Sequence, residues 1–256
     1  MDKWIIFGTG KTGGHLFPAI TIGENLGSRG YKCLFLIQGT KMEKEVLNKR
    51  GMKYMTIHSA PFPGASLKAV WKFIYENILG ICQCISLFLQ YRPVFSLVTG
   101  GYTSFPVGSA SLLSFVPLFI YEGNIKMGKS NVLLSPFARA SFGPDKSGFG
   151  VFVKVGNPVR KEMRTAGAEF PADTNILITG GSQGSLIILK TVLKMLEAHE
   201  RELKEKGVSL TIATGHNNAS WIEKFSRFSN VKALPFIHDM ASAIKQATLL
   251  ICRSGA

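Results

Sequence analysis

Short apolar runs alternate with amphipathic stretches along the whole chain. Residues 4–7, 33–37, 54–57, 95–99 and 118–121 are brief, mostly apolar and bounded by glycine or polar residues, a pattern that predicts buried strands. Between them, residues 16–26, 42–49, 67–90 and 105–114 predict helices, with Pro18 in the first turn of the first one. Residues 60–66 read as a Pro/Gly loop. A turn signal at Gly156-Asn157-Pro158 marks a boundary near residues 155–162, and the pattern restarts at Asp173. Strands are then expected at 175–179, 208–214, 231–234 and 249–252, and helices at 186–206, 219–228 and 239–246. Such strand–helix alternation implies parallel sheets covered on both faces. The expected fold class is therefore α/β: two Rossmann-like domains facing a cleft, over residues 1–155 and 156–256. The final strand runs into Arg253-Ser254-Gly255-Ala256, where a helix should follow, so the second domain is expected to be incomplete.

Each domain opens on a glycine-rich turn. The first is Gly8-Thr9-Gly10-Lys11-Thr12-Gly13-Gly14-His15, directly after Trp4-Ile5-Ile6-Phe7. The second is Gly180-Gly181-Ser182-Gln183-Gly184, directly after Asn175-Ile176-Leu177-Ile178-Thr179. A turn of this kind aims unpaired backbone N–H groups and the positive end of a helix dipole at one point, and phosphate is the usual guest. Gly8-x-Gly10-x-x-Gly13 also matches the bare dinucleotide fingerprint, which keeps a nucleotide-dependent oxidoreductase as a competing reading. That fingerprint wants an acid at the end of the next strand, and the first one here is Glu43. Gly10-Lys11-Thr12 imitates the end of a P-loop, but Ile5 stands where its opening glycine belongs.

Charge adds to this picture. Residues 1–150 carry 16 Lys+Arg against 7 Asp+Glu, and residues 151–256 carry 14 against 9, for a formal net charge of +14. So basic a surface suits nucleic acid, anionic lipid or phosphorylated ligands, or simply belongs to a generally basic, soluble protein. Residues 67–90 are apolar over much of their length, yet their cleanest apolar stretch is short for a bilayer span. Lys68, Trp71, Lys72 and Phe73 at the start of this helix read as a membrane-surface patch, the rest as core. The cysteines at 33, 82, 84 and 252 have neither metal nor disulfide spacing; Cys33 and Cys252 fall in apolar runs that look buried. With the first strand starting at Trp4, no leader and a reducing cytoplasm are expected. The chain has no Asp-x-Asp pair, so a metal site is not expected.

Four further positions could carry chemistry. His15, at the mouth of the first helix, either takes a proton from an attacking hydroxyl or merely holds its loop. Tyr102 in Gly100-Gly101-Tyr102-Thr103 and Glu122 in Tyr121-Glu122-Gly123-Asn124 both follow strand ends, the rim where ligands dock in open α/β sheets. Glu122 reads equally as a base or a loop acid. Arg160, after the boundary turn, is either a bidentate diphosphate clamp or a solvated side chain.

Taken together these segments resemble one family, MurG, the bacterial transferase that adds N-acetylglucosamine to lipid I. They are Thr12-Gly13-Gly14-His15-Leu16-Phe17-Pro18, Gly100-Gly101-Tyr102, Glu122-x-Asn124, Val155-Gly156-Asn157-Pro158-Val159-Arg160, Gly180-Gly181-Ser182-Gln183-Gly184, Pro235-Phe236-Ile237-x-Asp239-Met240 and Arg253-Ser254-Gly255-Ala256, in the family's order. The resemblance implies a GT-B glycosyltransferase with UDP-N-acetylglucosamine (UDP-GlcNAc) as donor and undecaprenyl-diphospho-MurNAc-pentapeptide as acceptor. It implies inversion at the anomeric carbon, no metal or other cofactor, and a role in peptidoglycan synthesis, cell shape and cell division. The place implied is the cytoplasmic face of the plasma membrane, with other cell-wall and division proteins as further partners and no nucleic acid. His15 and Glu122 would be the catalytic pair. Thr12, Gly13, Gly14 and Asn124 would contact donor or phosphate, Lys11 and Tyr102 the acceptor, Arg160, Ser182 and Gln183 the UDP side, and the Ile237 backbone the uracil. Lys11 replaces a usual glycine, and Tyr121 and Gly123 replace a histidine and a glutamine. The family continues beyond its Ser-Gly-Ala motif, so the expected alternative is a truncated, catalytically impaired membrane-surface remnant or scaffold.

Overall fold

The computed structural model describes residues 2–10, 12–64, 66–145, 148–159, 161–164, 173–181 and 183–253. The chain divides into two compact units, residues 1–159 and 160–255. In the first, strands and helices run β1 (Trp4–Gly8), α1 (Gly13–Gly27), β2 (Lys32–Ile37), α2 (Lys41–Lys49), β3 (Tyr54–Thr56), α3 (Leu67–Tyr91), β4 (Phe95–Val98), α4 (Ser104–Leu113), β5 (Leu118–Tyr121), α5 (Lys129–Leu134), β6 (Ala140–Gly143) and β7 (Phe152–Lys154). The seven strands form one parallel sheet in the order β3-β2-β1-β4-β5-β6-β7.

Two-residue alternation sorts the strand side chains between two cores. Ile6, Leu34, Leu36, Val98 and Ile120 pack with Cys84, Leu87 and Phe88 of α3 and Val107 and Ala110 of α4. Ile5, Phe7, Phe35, Ile37 and Leu97 pack on the other face with Leu16, Ala19 and Ile20 of α1 and Leu47 of α2. Each large side chain so buried contributes roughly 1.5–3 kcal/mol, which anchors the strand ends that carry the loops. β6, β7 and α5 were not legible as elements. Ala-Ser-Phe-Gly and Phe-Val-Lys are too short and mixed to read as strands, and pairing with a preformed neighbour makes them so.

Helix α1 begins three residues earlier than its apolar pattern does, at Gly13. Pro18 therefore lies in the second turn. Its missing N–H would have met the carbonyl of Gly14, itself an exposed residue.

Helix α3 is long and apolar enough to cross a membrane by length and composition, more so than its sequence pattern suggests. Its Asn77, Gly80, Cys84, Leu87 and Phe88 are nevertheless buried in the fold, along α4. Leu67, Trp71, Ile74, Tyr75 and Ile78 form an exposed stripe, with Trp71 71% accessible and Lys68 and Lys72 beside it. Phe73 does not belong to that stripe. Two residues from Trp71 is about 200° around a helix, and Phe73 packs against Phe62 and Phe105 at centroid distances of 4.9 and 5.6 Å.

The second unit contains α6 (Lys161–Arg164), β8 (Asn175–Thr179), α7 (Leu186–Glu205), β9 (Ser209–Ala213), α8 (Trp221–Ser226), β10 (Val231–Leu234), α9 (Met240–Lys245) and β11 (Leu249–Cys252). Its parallel sheet has the order β10-β9-β8-β11. Leu177, Ala213 and Ile237 form one core cluster, and Ile178, Leu189, Leu196, Ile212 and Phe225 belong to the other. At the edge, β11 leaves Leu249, Leu250 and Ile251 exposed, and Cys252 is exposed rather than buried. Cys33 is half-buried, and burial pushes its thiol up to about 11.

Candidate active site

The strand order of the first sheet reverses between β1 and β4, and that switch point is where open α/β sheets form a crevice at their carboxyl ends. The turn after β1 and the turn after β4 meet there. A side chain at Gly100 (φ +102°) would come within 2.4 Å of His15 Nδ1, and one at Gly101 (φ +87°) within 2.6 Å of the Gly10 carbonyl. Only glycine lets these two turns close on each other. Buried hydroxyls lock them: Thr103 Oγ1 donates to the Thr9 carbonyl at 2.8 Å, and Thr99 Oγ1 donates to the His15 carbonyl at 3.0 Å. The Gly100 N–H donates to Ser104 Oγ at 2.9 Å.

His15 is half-buried in this junction, and its Nδ1 lies 2.9 Å from the Thr99 carbonyl oxygen. A carbonyl only accepts, so the proton sits on Nδ1, and Nε2 is left with its lone pair as the basic position. Thr12, at the cap of α1, makes no side-chain cap bond. Gly13 and Gly14 fall in the first turn of α1, where a helix leaves its backbone N–H groups without an i−4 partner. Gly14 is exposed, and a side chain there would meet nothing nearer than Thr12 Oγ1 at 3.8 Å. Tyr102 is half-buried, two residues ahead of α4. Lys11 lies outside the described residues.

Sequence reasoning noted Glu43 only as an acid too late for a dinucleotide site. The structure buries it fully against the first turn, where a side chain at Gly10 would strike its Oε1. Its Oε2 accepts from the Thr40 N–H at 2.6 Å and from Thr40 Oγ1 at 2.8 Å, within a capping box on α2. The Thr-x-x-Glu spacing was the signal that could have found it.

Glu122 is also fully buried, but its oxygens face its own loop. Oε1 accepts from the Asn124 N–H at 3.1 Å and Asn124 Nδ2 at 2.8 Å; Oε2 accepts from the Gly128 N–H at 2.9 Å and Asn131 Nδ2 at 3.0 Å. Four donors on one carboxylate describe a loop organiser that orients Asn124. Beside it, Tyr121 donates to Asn157 Oδ1 at 2.6 Å. Burial, with the Glu122 charge second, pushes this phenol up to about 12. It thus stays protonated at neutral pH and the bond keeps its direction. An apolar cavity of about 440 Å³ between α1 and the β4–β6 face is lined by Phe95, Phe119, Tyr121 and Phe142 with Gly156 and Pro158 of the boundary turn, and by no residue of the turns after β1 and β4.

In the second unit, the glycine turn follows β8, next to β11, where that sheet's order reverses. Ser185 at the cap of α7 makes no side-chain cap bond. The exposed Gln183 accepts from Asn217 Nδ2 at 2.6 Å. Ile237 is buried in the core of the second unit with Leu177 and Ala213. Asp239 caps α9 through the Ser242 N–H at 2.9 Å. Arg160 and Ser182 lie outside the described residues. Among the described residues, no three His, Cys, Asp or Glu side chains gather as metal ligands.

The glycosyltransferase family 28 N-terminal domain matches residues 5–142, and the family 28 C-terminal domain matches residues 175–256. Over 265 residues the chain is 33% identical to the UDP-N-acetylglucosamine–N-acetylmuramyl-(pentapeptide) pyrophosphoryl-undecaprenol N-acetylglucosamine transferase of Glaesserella parasuis, covering 100% of this chain and 74% of that one. The enzyme of the same description from Haemophilus ducreyi is 31% identical over 267 residues, with the same coverage. Among solved structures, Acinetobacter baumannii MurG matches with a TM-score of 0.69 at 24% identity, over 100% of this chain and 74% of that one. The fold is thus that of the GT-B glycosyltransferases, with two Rossmann-like parallel sheets.

Proposed function

The chain belongs to glycosyltransferase family 28, and from that premise we propose how its residues carry the reaction. It is a UDP-sugar hexosyltransferase of peptidoglycan synthesis, moving N-acetylglucosamine from UDP-GlcNAc to lipid I to give lipid II. In our reading, the acceptor hydroxyl attacks the anomeric carbon while His15 Nε2 takes its proton. The bond to the β-phosphate oxygen breaks, UDP leaves with the electron pair, and the configuration inverts. What supports this role is the place of His15: a ring fixed by the Thr99 carbonyl, at the switch point, beside an uncapped helix start.

The backbone N–H groups near Gly13 and Gly14 would then hold phosphate on the acceptor side, with Lys11 and Tyr102 near. Asn124, oriented by Glu122, would contact the donor. Arg160, Ser182 and the second glycine turn would meet the charge on departing UDP in place of a cation, and the Ile237 backbone would read uracil. The test is transfer of N-acetylglucosamine from UDP-GlcNAc to a lipid I analogue by the purified chain. Gly14→Val sharpens it, because the space at Gly14 is open and the fold should tolerate the change. The expected result is an unchanged melting temperature with acceptor binding weakened about tenfold or more, one lost charge-assisted contact. Parent-like acceptor binding by this variant would remove the first turn from the acceptor site.

Lipid I confines the enzyme to a membrane surface, and we place the contact at the exposed stripe of α3, on the cytoplasmic face. Trp71, Tyr75 and Ile78 would enter the interface, and Lys68 and Lys72 would each add about 1 kcal/mol on an anionic surface. Trp71→Glu is expected to reduce co-sedimentation with anionic vesicles several-fold, whereas Phe73→Leu, inside the aromatic cluster, should not. Equal binding of the parent chain to neutral and anionic vesicles would refute the patch.

A further inference from the structure

The loop after β9 supplies a contact that none of the motifs above includes. The second glycine turn is pressed against it: a side chain at Gly184 (φ +76°) would lie 2.0 Å from the Thr214 carbonyl, and one at Gly215 (φ +89°) 2.3 Å from the Gly184 nitrogen. Asn218 seals the contact. Its Nδ2 donates to the Gln183 carbonyl at 3.0 Å and to the Thr214 carbonyl at 3.1 Å, joining the two loops through one amide. Asn217 Nδ2 holds the Gln183 side chain from the same loop.

The start of this loop is tied to the end of β10. The Thr214 N–H donates to the Leu234 carbonyl at 2.9 Å and the Gly215 N–H to the Pro235 carbonyl at 3.0 Å. Pro235 leads directly into Ile237, whose side chain is buried against Leu177 and Ala213. The loops after β8, β9 and β10 are thus joined in one hydrogen-bonded row, through Asn218 on one side and the Thr214 and Gly215 N–H groups on the other.

We propose that Asn218 is a positioning residue of the transferase: by bridging Gln183 and Thr214 it fixes the diphosphate turn at a set distance from the base-reading segment at Ile237. This rests on the reading that the second turn takes the diphosphate. The amide is suited to the task because both its protons go to carbonyls of different loops. Asp at 218 has no proton to give and would set a carboxylate against two carbonyl oxygens.

Calorimetric titration of the full chain with UDP and, separately, with uridine tests it. The parent chain is expected to bind UDP more tightly than uridine. In Asn218→Ala and Asn218→Asp, UDP affinity is expected to fall about tenfold while uridine affinity changes less than about twofold, since the turn and not the base pocket is released. Melting curves report whether the variants fold. Asn217→Ala, at an exposed position, is the second measurement if they do not, with UDP binding expected to weaken about threefold and uridine binding to hold. A parent chain that does not distinguish UDP from uridine overturns the diphosphate reading and this proposal with it. A parent that does, beside folded Asn218 variants that still do to the same degree, overturns the proposal alone.

Discussion

His15→Ala is expected to lower turnover about 100-fold or more while the affinity for UDP-GlcNAc stays within about twofold, because general-base loss acts on the transition state and not on donor binding. The structure makes a sharper version possible. Nδ1 serves only to donate to the Thr99 carbonyl, and an asparagine Nδ2 sits near the same position with the same donor character. His15→Asn should therefore keep the junction of the β1 and β4 turns and still lack a basic nitrogen. If the ring takes the proton, Asn and Ala fall alike. If its work is to hold the two turns together, Asn restores turnover to within about threefold of the parent and Ala does not. Steady-state kinetics with donor and acceptor varied in turn, beside melting curves for both variants, separates the two.

Much of the fold was legible because its signals are local. An apolar run of four or five residues with glycine after it reads as strand and turn wherever it stands, and the glycine turns at Gly8 and Gly180 were found on that basis. The strands β6 and β7 were not, since Ala140–Gly143 and Phe152–Lys154 become strands only by pairing with a finished neighbour. Phe73 was assigned to the membrane stripe from its nearness to Trp71 in sequence, and helical geometry turns it inward to Phe62 and Phe105. In the candidate site, sequence marks the residue types but not their partners. His15 was visible, yet the Thr99 carbonyl that sets its tautomer is a backbone atom 84 residues away. Asn218 had no signal at all, because its meaning lies in joining two loops that only the sheet brings together.

Glu122 shows why partners decide roles, and its removal is expected to produce the largest loss of stability among these variants. As a sequence position it reads equally as base or loop acid; in the fold its two oxygens accept from Asn124, Gly128 and Asn131. Glu122→Ala leaves those donors facing an emptied, buried site. Breaking a buried charged network costs about 3–5 kcal/mol. A cost of about 3 kcal/mol corresponds to a fall in melting temperature of roughly 6–12 °C for a chain of this size. Glu122→Gln is the informative companion. The amide oxygen can still accept on one side, but its NH2 group then faces donors on the other, so it too should melt below the parent, though by less than Ala. Loss of Asn124's orientation should weaken donor binding in both. A base at this position would behave differently: Gln would melt with the parent, bind donor normally and lose turnover about 100-fold or more. Differential scanning calorimetry together with donor titration and turnover distinguishes these outcomes, and a parent-like melting curve for Glu122→Gln with turnover lost would return Glu122 to the catalytic step.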